Sequence, residues 1–238
     1  MARTAQLALP LVAPAQAQKH VTINEALARL DAAAQLRVVS SALLVPPATA
    51  ADGESYLVPT GATGEWAGSA GRIAVWSNGG WIFLAPMAGW RVWDESLAAH
   101  RTYDGSAWIP DAVAVSSRGA AVRWRVIEFD HAVVPGATNT TSVEIPAHAQ
   151  VAGVTGRVVV ALAGAGLTGW TVGVGGADNR YGSGLGTGLN SYLVGLSGTP
   201  VTYYEATPLL LSAEGGTFSA GVIRLALHVL QLEPPRAV

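Results

Sequence analysis

Gly221-Val222-Ile223-Arg224-Leu225-Ala226-Leu227-His228-Val229-Leu230-Gln231-Leu232 alternates along its length, with Ile223, Leu225, Leu227 and Val229 on one side and Arg224, Ala226 and His228 on the other. Side chains of an extended chain point to opposite faces in turn, so this stretch reads as a strand with one face in a core and the other meeting solvent or a neighbouring subunit. Working back from it, Val122 to Phe129, Ser142 to Ile145, Val151 to Leu162, Gly169 to Val174, Val201 to Tyr204 and Leu209 to Ser212 are strand-like and separated by Gly, Pro or Asn. Short strands at this spacing predict a β-sandwich of jelly-roll type over 122–238.

Upstream, Ile73-Ala74-Val75-Trp76, Ser77-Asn78-Gly79-Gly80 and Trp81-Ile82-Phe83-Leu84 read as a hairpin. Asn-Gly supplies the positive φ angles of a type I′ turn, and a two-residue loop there sets Trp76 opposite Trp81. Tyr103-Asp104-Gly105-Ser106-Ala107-Trp108 partly repeats the pattern. Its register is open: a two-residue loop pairs Tyr103 with Ser106, and a four-residue loop pairs it with Trp108. Residues 38–110 are therefore expected to form a small antiparallel β-hairpin module, and 111–121, where periodicity fades, a linker.

At the front, 1–37 is expected to be an arm followed by one helix. Thr22 and Glu25 have capping-box spacing, and Ile23, Ala26, Leu27, Leu30 and Ala34 recur at helical intervals, ending near Arg37. Arg3 before the apolar run Leu7 to Ala17, with Ala15-Gln16-Ala17, imitates a secretory signal. Pro10, Pro14, Gln6 and Gln16 interrupt that run and suit an arm that docks onto another protein. No run approaches the roughly 18 consecutive apolar residues of a membrane span.

Half the residues are hydrophobic and only 13% are charged, across 238 residues. That is too apolar for a disordered chain and too poor in charge for an ordinary monomer surface, so some of it should be covered between copies. A net charge of -2 gives no basic field for nucleic acid or anionic lipid. Absence of Cys removes disulfides and thiolate metal sites.

Little catalytic chemistry is written here. His20, His100, His131, His148 and His228 lie far apart without metal-ligand spacing. Glu128 and Asp130 share a strand face and could serve glycoside hydrolysis or calcium, although no second acidic cluster supports them. Gly182, Gly184, Gly186 and Gly188 lack the following helix of a phosphate loop. No cofactor, metal or catalytic residue is expected. Trp66, Trp76, Trp81, Trp90, Trp93 and Trp108 crowd the hairpin module, where flat rings can stack on sugars or, equally, pack across strands. Asp178, Asn179, Arg180 and Tyr181 read as a loop tip that could touch a glycan or simply be a turn.

Together these stretches resemble a family encoded in bacterial prophages and gene-transfer-agent clusters, whose members are head-spike or tail-fibre proteins. The resemblance rests on Pro14-Ala15-Gln16-Ala17-Gln18-Lys19-His20-Val21, Asn24-Glu25-Ala26-Leu27, Ala51-Asp52-Gly53-Glu54, Gly61-Ala62-Thr63-Gly64-Glu65-Trp66, Ile145-Pro146-Ala147-His148-Ala149, Val154-Thr155-Gly156-Arg157-Val158 and Thr199-Pro200-Val201-Thr202-Tyr203-Tyr204. It implies a non-enzymatic structural and adhesive protein on a particle surface, assembled in the bacterial cytoplasm. The implied partners are capsid or other particle proteins, a neighbouring fibre protein, cell-surface polysaccharide and further copies of itself, as trimer or pentamer, with no nucleic acid and no membrane insertion. Leu9, Leu11, Gln16, Gln18, Lys19 and His20 are the attachment candidates. A capsule depolymerase and a secreted carbohydrate-binding module are the alternatives.

Overall fold

The computed structural model describes residues 3–5, 7–12 and 19–237, with Lys19 and His20 as backbone only. Two units result: Met1–Ala121 with Pro234–Val238, and Val122–Glu233. The chain is mainly β, with a single α-helix among the described residues.

The first unit runs α1 (Lys19–Ala34), β1 (Arg37–Val38), β2 (Ser55–Leu57), a 3-10 turn at Gly64–Trp66, β3 (Ile73–Ser77), β4 (Gly80–Leu84), β5 (Arg91–Asp94), β6 (Ala99–Tyr103), β7 (Trp108–Pro110) and β8 (Ala112–Val115). Helix α1 begins three residues before the Thr22 expected to cap it, and Glu25 is spent on Arg29 one turn on, at 2.9 Å, rather than on a cap. Its orientation is also informative. Asp31 and Ala32 are the buried positions, while Ile23 and Leu30 face outward. Thr4 and the Leu7 N–H both donate to Asp31 Oδ1, at 2.6 and 2.5 Å, and Asn24 holds Val12 through both its amide atoms. Residues 3–5 and 7–12 of the arm are thus folded back along the helix.

Strands β2, β3 and β4 form one antiparallel sheet, and β1, β5, β6 and β7 another in that order. Asn78 and Gly79 have φ of +51° and +81°, the left-handed pair that a type I′ turn demands, and Trp76 pairs with Trp81. The β6–β7 hairpin selects the four-residue loop, so Tyr103 pairs with Trp108. Asp104 fixes it by accepting N–H bonds from Ser106 and Ala107, both at 2.8 Å. The β3 sheet is covered on both faces: Ile73 and Val75 join Val38, Leu57 and Val92 on one side, and Ala74 joins Tyr56, Val58 and Trp66 on the other.

Residues 111–121 are not an irregular linker. They contain β8 and a turn in which the Ser116 N–H donates to the Ala120 carbonyl at 2.8 Å, because Ala112 to Val115 is extended and small enough to run as a strand. Pro234–Val238 belongs with the first unit rather than with 122–233: Arg236 ion-pairs with Asp104, and its N–H donates to Arg118 O at 2.9 Å.

The second unit contains β9 (Ala121–Ala132), β10 (Thr138–Ile145), β11 (Ala149–Ala163), β12 (Gly169–Val174), β13 (Ala177–Leu185), β14 (Tyr192–Tyr203), β15 (Thr207–Glu214) and β16 (Ala220–Glu233). One sheet has the order β14-β11-β16-β9 and the other β10-β15-β12-β13. Successive strands change sheet at every step except β12 to β13, which is the double Greek key of a jelly roll. Ile223, Leu225, Leu227 and Val229 are all fully buried and meet Val154, Val158, Leu209 and Leu211 in the interior. Each such side chain stabilises the fold by about 1.5–3 kcal/mol relative to exposure.

Asp178 to Tyr181 is not a loop tip but part of strand β13, antiparallel to β12. So are Gly182 and Gly184, and the Gly184 N–H donates to the Glu214 carboxylate at 3.1 Å. That carboxylate occupies the place an anion would need.

Candidate functional site: a tryptophan groove on the first unit

The six tryptophans of the first unit separate sharply by environment. Trp66 is fully buried, tilted against Tyr56 and edge to face with Trp81 at ring-centre distances of 5.4 and 5.2 Å. Trp76 and Trp81 pack edge to face across their hairpin at 5.0 Å. Trp108 donates its indole N–H to Gly71 O at 3.0 Å, and Trp108 and Trp90 both pack against the Val38 core. Core and cross-strand packing therefore account for these five. Trp66 is withdrawn as a glycan contact because no ring face is open.

Trp93 differs, with 37% of its surface exposed. The alternation Arg91-Val92-Trp93-Asp94 buries Val92 and Asp94 and turns Arg91 and Trp93 outward. Parallel pairing sets Arg37 of β1 beside Trp93, and antiparallel pairing sets His100 of β6 on its other side. Three strands thus carry Arg37, Trp93 and His100 in a row, with the Trp93 and His100 rings edge to face at 4.9 Å. The row opens on a groove of about 720 Å³ also lined by Leu7, Gln35 and Arg91.

Beneath it, Asp94 is wholly buried and ion-pairs with Arg101 at 2.9 Å, while Ser96 donates to it at 2.6 Å. Burial alone would raise this carboxyl. Hydrogen bonds from Ser41, Ser96 and Arg101, with the Arg101 charge, outweigh burial and hold it below the ordinary carboxylate value. The buried charge clamps the β5–β6 hairpin and fixes the position of Trp93. Arg37 is balanced by Glu95, whereas Arg91 donates to the backbone carbonyl of Val113 at 3.3 Å and meets no carboxylate among the described residues.

An open indole face beside guanidinium, imidazole and amide groups can stack on the apolar face of a sugar and bond its hydroxyl or carboxylate edges. Trp93 is legible in the sequence, whereas His100 reads as isolated and Arg37, Gln35 and Arg91 are not singled out. The Arg91-x-Trp93 spacing was the available signal. Arg37 arrives through a long-range parallel pairing that no local pattern announces.

In the second unit, Asp178, Asn179 and Arg180 are exposed along β13, but Tyr181 is buried and shares a hydrogen bond of 2.8 Å with the Tyr203 hydroxyl. Burial first, then that bond, pushes the Tyr181 hydroxyl pKa far up. Tyr181 is therefore a core residue, withdrawn as a glycan contact. Asp130 forms a two-bond ion pair with Arg224, at 2.7 and 2.8 Å, which holds its carboxyl below the usual range. Leu9 and Leu11 are half-buried on the folded-back arm. Gln16, Gln18 and the side chains of Lys19 and His20 lie outside the described residues. Among those described, no three His, Asp or Glu side chains come together to hold a metal, and no helix is long and apolar enough to cross a membrane.

Residues 23–109, which include Trp93, Arg37, Arg91 and His100, match the model of a family described as a protein of unknown function (DUF2793). No curated protein matches the chain. Three chains of solved structures match. One, from the cyanophage Pam1 capsid asymmetric unit, is 20% identical, with a TM-score of 0.33, over 47% of this chain and 84% of that one. Agreement that loose says nothing about what the chain does.

Proposed function

We propose that this chain is a structural and adhesive protein present in several copies on a phage-like particle, and that it acts by binding surface polysaccharide rather than by turning it over. The observation that carries the adhesive reading is the Trp93 groove, where one open indole is flanked by Arg37, Arg91 and His100. The Arg91 guanidinium, which has no carboxylate partner among the described residues, favours a polymer bearing carboxylates, because Arg matches that group with two parallel hydrogen bonds. Weak contacts of this kind gain strength when several copies engage one surface.

The particle reading is supported by the resemblance carried by the Gln16-Ala17-Gln18-Lys19-His20 stretch and its companions. A jelly roll suits it too, since capsid and lectin domains both use that fold, although a fold alone assigns no role. The outward apolar residues of α1 fit a surface covered by another protein. Against a depolymerase stands the Asp130–Arg224 pair, which leaves Glu128 without a free carboxylate partner on its strand face.

The test uses the full chain and particles from producing cells. Mass spectrometry should find the protein in purified particles, and its absence would overturn the particle reading. Trp93→Ala should lower retention on an acidic capsular polysaccharide by about 5- to 150-fold, the equivalent of a 1–3 kcal/mol stacking contact, with the circular dichroism spectrum unchanged. Undiminished retention would overturn the groove.

A further inference from the structure

We propose that the N-terminal arm is a detachable wall of the Trp93 groove, held in place by Asp31, and that polysaccharide in the groove rests on Leu7 as well as on Trp93. The inference deepens the adhesive reading above and rests on it. The groove draws its lining from two kinds of place. Arg37, Arg91, Trp93 and His100 stand on strands whose neighbouring Val38 and Val92 are buried in the core, so that wall is rigid. Ala5 and Leu7 come from the arm, in which no described residue is buried and Leu7 is 39% exposed.

The arm keeps its shape by its own bonds. The Thr4 N–H donates to Leu9 O and the Leu9 N–H to the Thr4 hydroxyl, both at 2.9 Å, and Arg3 donates to Ala8 O at 2.8 Å. This small hairpin is fastened to α1 through two side chains: Asp31 accepts from the Thr4 hydroxyl and the Leu7 N–H, and Asn24 holds Val12. Packing adds little, because a cavity of about 270 Å³, lined by Thr4, Leu11, Val75, Trp76 and Asn78 among others, adjoins it. A segment with few buried apolar contacts opens locally, well below the cost of global unfolding. Asp31, only 4% exposed, sits on the buried side of α1 and does not move with the arm. Its bond to the Leu7 N–H sets where Leu7 stands, which makes Asp31 a positioning residue for the groove.

Leu7 and the Trp93 ring give one groove two apolar surfaces, and Arg91 and His100 give it polar ones. A sugar ring, with apolar C–H faces and a hydrogen-bonding rim, has the chemistry to use both. A ligand that touches the arm and the strands together binds only while the arm is docked, so it draws the arm down onto α1. By linkage, docking of the arm strengthens that binding by the same factor.

Hydrogen exchange of the full chain, with and without the acidic capsular polysaccharide of the retention assay, reads the arm directly. Polysaccharide should slow exchange in the arm at least about fivefold, the lower end of a typical coupling between sites. Asp31→Ala should speed exchange in the arm and lower retention by a similar factor, with exchange in β5 and β6 unchanged. If Asp31→Ala disturbs the helix, Leu7→Asp decides: it lies at an exposed position, and its carboxylate should repel the acidic polymer and lower retention at least about fivefold. Arm exchange that ignores polysaccharide overturns the proposal. So does wild-type retention by Leu7→Asp, or a rise in retention by Asp31→Ala, which would make the arm a lid. Trp93→Ala separates the two ideas: if it loses retention while Leu7→Asp does not, the adhesive reading stands and the arm's part in it falls.

Discussion

The hydroxyls of Tyr181 and Tyr203 face one another at 2.8 Å inside the jelly roll, with 2 and 9% of each residue exposed. Replacing Tyr181 by Phe keeps the ring and removes one oxygen, which leaves the Tyr203 hydroxyl buried without a partner. A stranded polar group costs about 1–3 kcal/mol, whereas removing both partners together can be nearly neutral. Tyr181→Phe and Tyr203→Phe are each expected to destabilise the second unit by about 2 kcal/mol, and the double variant by well under the sum. For a unit of about a hundred residues, 2 kcal/mol is a fall in Tm of about 8 °C. Calorimetry on the four proteins, following the transition of the second unit, gives the coupling directly. Additive losses would refute the shared hydrogen bond. A Tyr181→Phe variant that weakened glycan binding at unchanged Tm would instead return Tyr181 to a surface role.

Two further perturbations probe the frameworks of the two units. Asp94→Asn removes a buried charge from Arg101 and should cost the first unit about 3 kcal/mol, read by urea titration; an effect within error would mean the pair is not holding the β5–β6 hairpin. The same carboxyl sets a pH dependence. Its folded pKa lies below the ordinary 3.8, so its contribution is complete above that value and is lost as pH falls through the lowered one. The wild-type Tm should therefore drop more steeply than that of Asp94→Asn below about pH 4, and parallel curves would contradict the assignment. In the jelly roll, a Cβ at Gly195 would lie 1.9 Å from the Tyr181 carbonyl oxygen, so Gly195→Ala must push β13 and β14 apart. A loss of about 3 kcal/mol is expected, and a neutral variant would mean the strands are not in contact there.

Legibility in the sequence followed the physics of alternation. Ile223 to Val229 announced a buried face because β16 is a central strand with one side in the core, and Asn78-Gly79 announced its hairpin because few residue pairs tolerate two positive φ angles. Strand β13 was hidden for the complementary reason. It lies at a sheet edge and buries only Tyr181, so Asp178, Asn179, Arg180 and the glycines around it look like a loop. Gly182 to Gly188 likewise suggested phosphate chemistry, while their spacing serves close strand approach: a Cβ at Gly182 would meet Leu193 at 2.9 Å. The tryptophans were legible as a cluster but not as individuals. Which of them stays open depends on the pairing of β1 with β5, a contact between segments far apart in the chain.

The two units bear on a common problem, a chain in which apolar residues outnumber what its own interiors can hide. The first unit disposes of most of its aromatic surface internally, by packing Trp66 against one face of the β3 sheet and Trp108 against the other, and leaves one indole open beside Arg91 and His100. The second unit fills its sandwich with aliphatic side chains and still leaves Tyr192, Val194 and Leu196 in water along one edge. An isolated exposed ring flanked by charge is how a polar, flexible ligand is held. A continuous uncharged strip is how a rigid protein surface is held. The same scarcity of charge thus has different consequences in the two places.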